Sequence, residues 1–261
     1  MSRPGPRELL GDCDPPPVRV LRPEGSSPFV LTADHAGRAI PRRLGDLGLP
    51  ESELQRHIAW DIGIAGVTEG LSARLDAPAV LQTYSRLVID CNRRPDWQSS
   101  IPLLSELTEI PGNHGISEPE REARWQEIFL PYHDRIAALL DARAAACRPA
   151  VLAAMHSFTP VFKGIAREVE VGILYNTRAD DIRLPLIMLE LLRAEGHLAV
   201  GDNQPYAITG TSDYTVPVHG EERGLPFVEI EIRQDLIADA AGQAAWAARL
   251  ARLLPVAATR L

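Results

Sequence analysis

The sequence has few cysteines and no long apolar run, and each absence removes a class of protein. Its 261 residues include only three cysteines, which are widely spaced and form no CxxC pair. Neither a disulfide framework nor a cysteine-based zinc knuckle is therefore expected. No run approaches the roughly 18 apolar residues of a membrane span, and the N-terminal stretch lacks the apolar segment of a signal peptide. We expect a cytoplasmic protein that does not enter a membrane.

Basic runs and the common nucleotide and serine-hydrolase motifs are also missing. The net charge is −8 at pH 7, which disfavours nucleic acid and anionic membrane surfaces as partners. The absence of GxSxG, Walker and GxGxxG patterns argues against a serine hydrolase, a phosphate-binding loop and a dinucleotide site. The negative net charge does not exclude a small anionic substrate, because arginines in the binding site can make the local potential positive.

The apolar residues are arranged as strand-like runs that alternate with helical segments. This alternation predicts an α/β fold, a single domain with a mostly parallel mixed sheet flanked by helices. The Pro- and Gly-rich residues 1–26 are expected to form a loosely ordered arm, and residues 27–261 a single catalytic domain. Strands are predicted at 29–33, 79–83, 87–91, 151–155, 168–174 and 227–233, and helices at 54–75, 118–146, 184–195 and 236–254.

Two histidines come directly after predicted strands, where parallel α/β sheets bind their ligands. His35 follows the run 29–33, and His156 follows the run 151–155. Two imidazoles and one carboxylate would suit zinc and leave a position for water. Asp61, which lies between Trp60 and Ile62, is the preferred third ligand, and Asp34 is the alternative. Either histidine taken alone is also compatible with an ordinary structural role.

Glu231 lies in the apolar strand 227–233, where burial of a carboxylate is costly unless the group is paired or functional. Glu229 is two residues earlier and faces the same side of the sheet. From these residues alone, Glu231 is equally compatible with a structural ion pair and with a proton acceptor for a metal-activated water.

Several polar residues are candidates for holding a substrate. Arg93 beside Asn92 offers a guanidinium fork and an amide for a carboxylate, although a surface ion pair explains Arg93 equally well. The irregular stretch 96–117 is a candidate binding loop. The further candidates are Arg86 as a strand support or oxyanion donor, His219 as a lid residue near the substrate and a catalytic oxyanion donor, and Asn203 and Tyr206 at the acyl end.

Taken in order, seven segments resemble the N-formylglutamate amidohydrolase family. They contain, in turn, Asp34-His35-Ala36-Gly37, Trp60-Asp61, Ser85 to Arg93, Pro131-Tyr132-His133, Met155 to Phe158, Gly201 to Tyr206, and Glu229 to Asp235. The resemblance implies a zinc-carboxypeptidase-like (phosphorylase/hydrolase-like) fold, an Asn-Arg pair for the substrate carboxylate, and Glu231 rather than Glu229 at the catalytic position. The chain departs from the family around Asp61, where the family carries a denser cluster of Asp and His.

The resemblance implies a zinc amidohydrolase with one divalent ion. Its substrate would be a small anionic N-acyl amino acid such as N-formylglutamate, which would place the enzyme in histidine degradation. A monomer or small homo-oligomer is expected. Two alternatives stay open: a related deacylase or carboxypeptidase-type peptidase with another acyl substrate, and a non-catalytic binding protein on the same scaffold.

Overall fold

The fold is organised around one mixed β-sheet, seen in a computed structural model that describes residues 8–209 and 212–261. Within those residues the strands are β1 (Val18–Leu21), β2 (Phe29–Ala33), β3 (Ala79–Gln82), β4 (Leu104–Ser105), β5 (Thr108–Glu109), β6 (Val151–Phe158), β7 (Val161–Phe162), β8 (Ile165–Ala166), β9 (Val171–Leu174), β10 (Val200–Asp202) and β11 (Phe227–Arg233). The α-helices are α1 (Glu51–Leu54), α2 (Ile64–Leu75), α3 (Glu118–Arg124), α4 (Leu130–Ala145), α5 (Arg183–Arg193) and α6 (Ala240–Ala258).

Seven strands form the main sheet in the order β1-β3-β2-β6-β11-β9-β10. The four inner strands β3, β2, β6 and β11 are parallel to one another. β1 runs antiparallel at one edge, and the parallel pair β9 and β10 continues the sheet antiparallel to β11 at the other. The predicted fold class, a single α/β domain with a mostly parallel mixed sheet, is confirmed.

Both faces of the sheet are covered, so its central strands are buried and mostly apolar, with exceptions such as His156, Glu229 and Glu231. Successive residues alternate between two cores: Leu31 and Leu81 belong to one, and Val30 and Val80 to the other. Helices α2, α5 and α6 pack on the first face, and α4 packs on the second. Because β2, β6 and β11 are parallel neighbours, their carboxyl ends lie together at one edge of the sheet.

The structure corrects the predicted strand at 87–91. These residues form a turn, in which the Val88 N–H donates to the Ser85 carbonyl at 2.9 Å and the Asp90 N–H donates to Ser100 at 2.7 Å. The segment is buried although it joins no sheet. A short buried apolar run has the composition of a core strand, and its pattern alone does not distinguish the two structures.

Two other predicted segments differ from the structure. The predicted helix 54–75 is two helices, α1 and α2, separated by an irregular segment that contains Asp61. Part of the predicted arm 1–26 forms β1, whose backbone pairs with β3 along four residues. Residues 1–7 of that arm lie outside the described residues. Among the described helices, none is long and apolar enough to cross a membrane.

Candidate active site and metal centre

A cavity of about 530 Å³ opens at the carboxyl edge of the parallel strands. Its lining includes all three predicted metal ligands, both glutamates of β11, and the predicted substrate residues Arg86, Asn92, Arg93 and Tyr206. The tips of the two hairpins β4–β5 and β7–β8 contribute Leu104, Glu106 and Phe162 to its walls. A cavity of this size is typical of sites for small organic ligands.

His35, Asp61 and His156 come together in this cavity, and all three side chains are buried. Asp61 Oδ2 lies 3.0 Å from His156 Nδ1 and 3.6 Å from His35 Nδ1. Ligands placed 2.0–2.1 Å from a tetrahedral zinc ion would lie roughly 3.3 Å apart, and the two measured distances bracket that value. The three residues therefore form a pocket of the size that a zinc ion requires.

Backbone hydrogen bonds hold Asp61, which precedes helix α2, against the segments that carry His35 and His156. Its N–H donates to the His35 carbonyl at 2.9 Å, and its Oδ2 accepts from the Ser157 N–H at 3.1 Å. Gly63 then turns the chain into α2 with φ of +82°, where a Cβ atom would lie only 2.1 Å from the Ile237 carbonyl oxygen. Glycine permits both this conformation and this close approach.

Two further carboxylates contact the outer nitrogens of the histidines. Asp90 Oδ1 lies 2.7 Å from His35 Nε2, and Asp34 Oδ2 lies 3.1 Å from His156 Nε2. The His35–Asp90 contact is a hydrogen bond, whereas the His156–Asp34 contact is an ion-pair distance only. Histidines that bind metals usually donate their other ring N–H to such a carboxylate, which fixes the tautomer and the orientation of the ring. Asp34, the alternative third ligand, is thus on the far side of His156 from Asp61. The geometry favours Asp61 as the third ligand.

Hydroxyl and guanidinium groups hold these two outer carboxylates in place. Asp34 Oδ1 accepts from the Tyr132 hydroxyl at 2.6 Å and from the Thr215 hydroxyl at 2.8 Å. Asp90 Oδ2 accepts from Nε and Nη2 of Arg86 at 3.1 and 2.6 Å. The ring orientations of both histidines are therefore fixed by buried networks.

The electrostatics of the cluster fit a bound cation. Burial acts to lower the pKa of His156, but its contacts with Asp34 and Asp61 outweigh burial and hold this pKa well above its ordinary value. Burial and Arg86 likewise act to lower the pKa of His35, and Asp90 and Asp61 raise it overall. The buried His35 Nδ1 has no hydrogen-bond partner among the described residues. A divalent ion bound by neutral imidazoles would supply this missing partner and the positive charge.

Glu231 and Glu229 enter the same cavity from the central strand β11. They are 6% and 5% exposed, and neither has a hydrogen bond or ion pair within the described residues. Burial raises the pKa of Glu231 to about 7, against the opposing effect of His156. Burial also raises the pKa of Glu229 to about 8, with Glu231 adding to the shift. The structural ion pair considered for Glu231 from the sequence is absent among these residues.

Arg93 and Asn92 line the cavity at another side. The Asn92 Oδ1 accepts from the Thr215 N–H at 3.0 Å, so its Nδ2 is the group left to face a ligand. Arg93 Nη1 is paired with Asp213 and donates to the Asn92 carbonyl at 3.1 Å. Asp213 thus fixes the guanidinium on one side and partly neutralises its charge. No sequence pattern predicts this pair, because it joins residues 120 positions apart.

Arg86 and Tyr206 lie in the wall next to the candidate metal centre. Besides its bonds to Asp90, Arg86 places Nη1 3.6 Å from Asp61 Oδ1. The Tyr206 hydroxyl accepts from Arg167 Nη1 at 2.9 Å, and the guanidinium lies over the Tyr206 ring. Arg167 was not predicted from the sequence, because its role depends on aromatic rings contributed by separate segments.

The structure does not place His219 or Asn203 in the cavity lining. His219 lies on the helical turn Pro217–Glu221, where its Nε2 contacts His133 Nδ1 at 3.0 Å, and burial lowers its pKa to about 3. The predicted lid position is therefore corrected: neighbouring apolar residues bury this segment, although its Gly-flanked sequence resembles an exposed loop. Asn203 uses its Oδ1 to accept from the Tyr175 N–H at 2.9 Å, a bond that stabilises a turn.

The parallel sheet and its buried His–Asp–His cluster define an α/β protein with a candidate metal centre at the carboxyl ends of its strands. Sequence comparison then identifies the family. The N-formylglutamate amidohydrolase family model matches residues 27–238, and the chain belongs to this family. Membership supports a hydrolase that acts on the amide bonds of acyl-amino acids.

Solved structures similar to the chain include the following two. A gene product of Agrobacterium tumefaciens is 40% identical, with 97% of this chain and 99% of that chain covered and a TM-score of 0.90. An N-formylglutamate amidohydrolase from Ralstonia eutropha is 18% identical, with 93% and 97% covered and a TM-score of 0.65, which shows a shared fold. No curated protein sequence matches the chain at a significant level.

Proposed function

We propose that this protein is a zinc-dependent amidohydrolase that cleaves the amide bond of an N-acyl amino acid. The observation that carries the proposal is the combination, in one cavity, of the His35–Asp61–His156 cluster with the unpartnered carboxylate of Glu231. Family membership makes N-formylglutamate the first substrate to test. A cytoplasmic location and a role in histidine degradation remain predictions from the sequence.

Zinc bound by His35, Asp61 and His156 would supply Lewis-acid chemistry and lower the pKa of a bound water to about 7. The chain's own residues would do the remaining work. Glu231, desolvated by burial and with a pKa of about 7, is suited to accept a proton from the attacking water and return it to the leaving amine. Arg86 is close enough to the cluster to stabilise negative charge on the carbonyl oxygen.

Substrate orientation is assigned to Arg93 and Asn92. The Arg93 guanidinium, held on one side by Asp213, and the Asn92 amide would bind the carboxylate of the amino acid. Their contribution would be to position the amide bond rather than to take part in the chemistry. His219 has no part in this mechanism, because it is buried against His133 away from the cavity lining.

The first experiment compares metal content with activity. Purified protein is assayed for zinc and for hydrolysis of N-formyl, N-acetyl and N-succinyl amino acids. Glu231→Gln should retain zinc while turnover falls by about 10²–10⁴. The matched control is Glu118→Gln, which removes an exposed carboxylate on α3 and should leave both properties unchanged. Near-normal turnover in Glu231→Gln would refute the assignment of the base.

A related deacylase with a larger acyl group is the second candidate. The cavity volume of about 530 Å³ is within the roughly 300–1,000 Å³ typical of sites for drug-sized ligands. This volume is larger than an N-formyl amino acid requires, so a larger acyl group would fit. Parallel assays with formyl, longer acyl and dipeptide donors would distinguish this activity from deformylation. A metal-free protein without hydrolytic activity would instead favour a non-catalytic binding protein.

A further inference from the structure

Among the described residues of the cavity lining, Glu229 is the carboxylate that neither the fold nor the proposed chemistry uses. It lies on β11 with its side chain on the same face as Glu231, and its strand neighbours at this register are Ala154 and Leu174. The residue is only 5% exposed, and no described residue forms a hydrogen bond with its buried Oε2. A buried carboxylate without a partner costs several kcal/mol unless a ligand supplies one.

Apart from Glu231, the other acidic residues of the described lining all have partners. Asp61 and Asp90 belong to the histidine cluster, and Asp213 binds Arg93. Glu106, on the β4–β5 hairpin, pairs with Arg56 and accepts from the Lys163 N–H. Glu231 is the proposed acceptor of a proton from the attacking water. Glu229 therefore has no role in holding the described part of the protein together.

The charges around Glu229 indicate what the missing partner is. The charged groups that act on Glu229 include Asp213, Asp34 and Glu231, which are all acidic, and His156, which favours its ionised form. The lining contains two arginines, and both form ion pairs: Arg86 with Asp90, and Arg93 with Asp213. Neither arginine of the described lining is therefore left to pair with Glu229.

We propose that Glu229 recognises a cationic group on the side chain of the substrate's amino acid. The substrate class would then be N-acyl derivatives of basic amino acids, with Arg93 and Asn92 on the α-carboxylate and Glu229 on the side-chain cation. The inference rests on the proposed function and refines it. A substrate with a basic side chain differs in charge from N-formylglutamate. The anionic side chain of N-formylglutamate would bring a further negative charge beside Glu229 and Asp213.

The test uses two substrates of nearly equal shape. N-formyl-L-lysine and N-formyl-L-norleucine share an unbranched side chain, and only lysine carries an ammonium group. For the zinc-loaded full chain, kcat/KM should be at least about thirtyfold higher for the lysine derivative, as expected for a buried charge-paired hydrogen bond. N-formyl-L-glutamate should be a poorer substrate than either.

Substitution of Glu229 then tests whether this residue causes the preference. Glu229→Gln, which keeps the shape of the side chain, should reduce the lysine-to-norleucine ratio to near one while activity on norleucine is retained. Glu118→Gln should keep the wild-type ratio. An unchanged ratio in Glu229→Gln, or no preference for lysine in the wild type, would overturn the inference. Circular dichroism and zinc content verify that the variant is folded and loaded.

Failure of the inference and failure of the proposed function give different results. Hydrolysis of N-acyl amino acids without a preference for lysine overturns the inference alone. If no substrate is hydrolysed, calorimetric titration of zinc-loaded Glu231→Gln with the same pair still measures the binding ratio and decides the inference. A stoichiometry of two zinc ions per chain that falls to one in Glu229→Gln would make Glu229 a metal ligand and overturn it as well.

Discussion

Glu229→Gln should stabilise the metal-free protein at neutral and alkaline pH. The side chain is fully buried, and burial raises its pKa from 4.5 to about 8. Between these two values the folded protein holds a proton that the unfolded chain has released. Raising the pH therefore favours unfolding, with a slope of about 1.4 kcal/mol per pH unit from this residue. The stability of the wild type should fall over this range.

The size of the effect follows from the same two pKa values. At pH 8 the cost of keeping Glu229 in the folded state is roughly 4 kcal/mol, and at pH 5 it is less than about 1 kcal/mol. Glutamine has nearly the same shape and never ionises, so the variant avoids this cost. Its free energy of unfolding should exceed that of the wild type by up to roughly 4 kcal/mol at pH 8, with near equality at pH 5.

Urea unfolding with a chelator present, at pH values from 5 to 8, measures this difference. Glu231→Gln is the matched comparison from the same strand, and it should show a smaller gain because burial raises the pKa of Glu231 only to about 7. If the wild type and Glu229→Gln lose stability in parallel across this range, Glu229 does not keep its proton in the folded state. The reasoning from burial would then be refuted.

Three other outcomes are expected. Asp90→Asn should weaken zinc binding by about 10–100-fold, measured by competition with a chelator, because the carboxylate that orients His35 Nε2 is lost. Zinc at 100 times its dissociation constant should raise the free energy of unfolding by about 2.7 kcal/mol, and His156→Ala should abolish this gain. Arg93→Ala should raise KM for N-acyl amino acids with little change in kcat, and an unchanged KM would remove its proposed role.

Much of the site could be predicted because parallel strands place their carboxyl ends at one edge of a sheet. His35 comes two residues after one apolar run and His156 directly after another, and these positions predicted that they would meet. Glu231 and Glu229 share a face because the side-chain period of a strand is two. The strand assigned to 87–91 was wrong, because a buried turn and a buried strand have the same apolar composition.

The sequence by itself determined the alternation of strands and helices, the two histidines at strand ends, and a pair of carboxylates on one apolar strand. These features depend on local periodicity, which neighbouring residues encode. Only the tertiary structure decided that Asp61 faces both Nδ1 atoms while Asp34 contacts the opposite side of His156, and that Asp213 neutralises Arg93 in part. It also left Glu229 without a partner. Such relations join residues from distant segments, and their distances depend on how the whole chain packs.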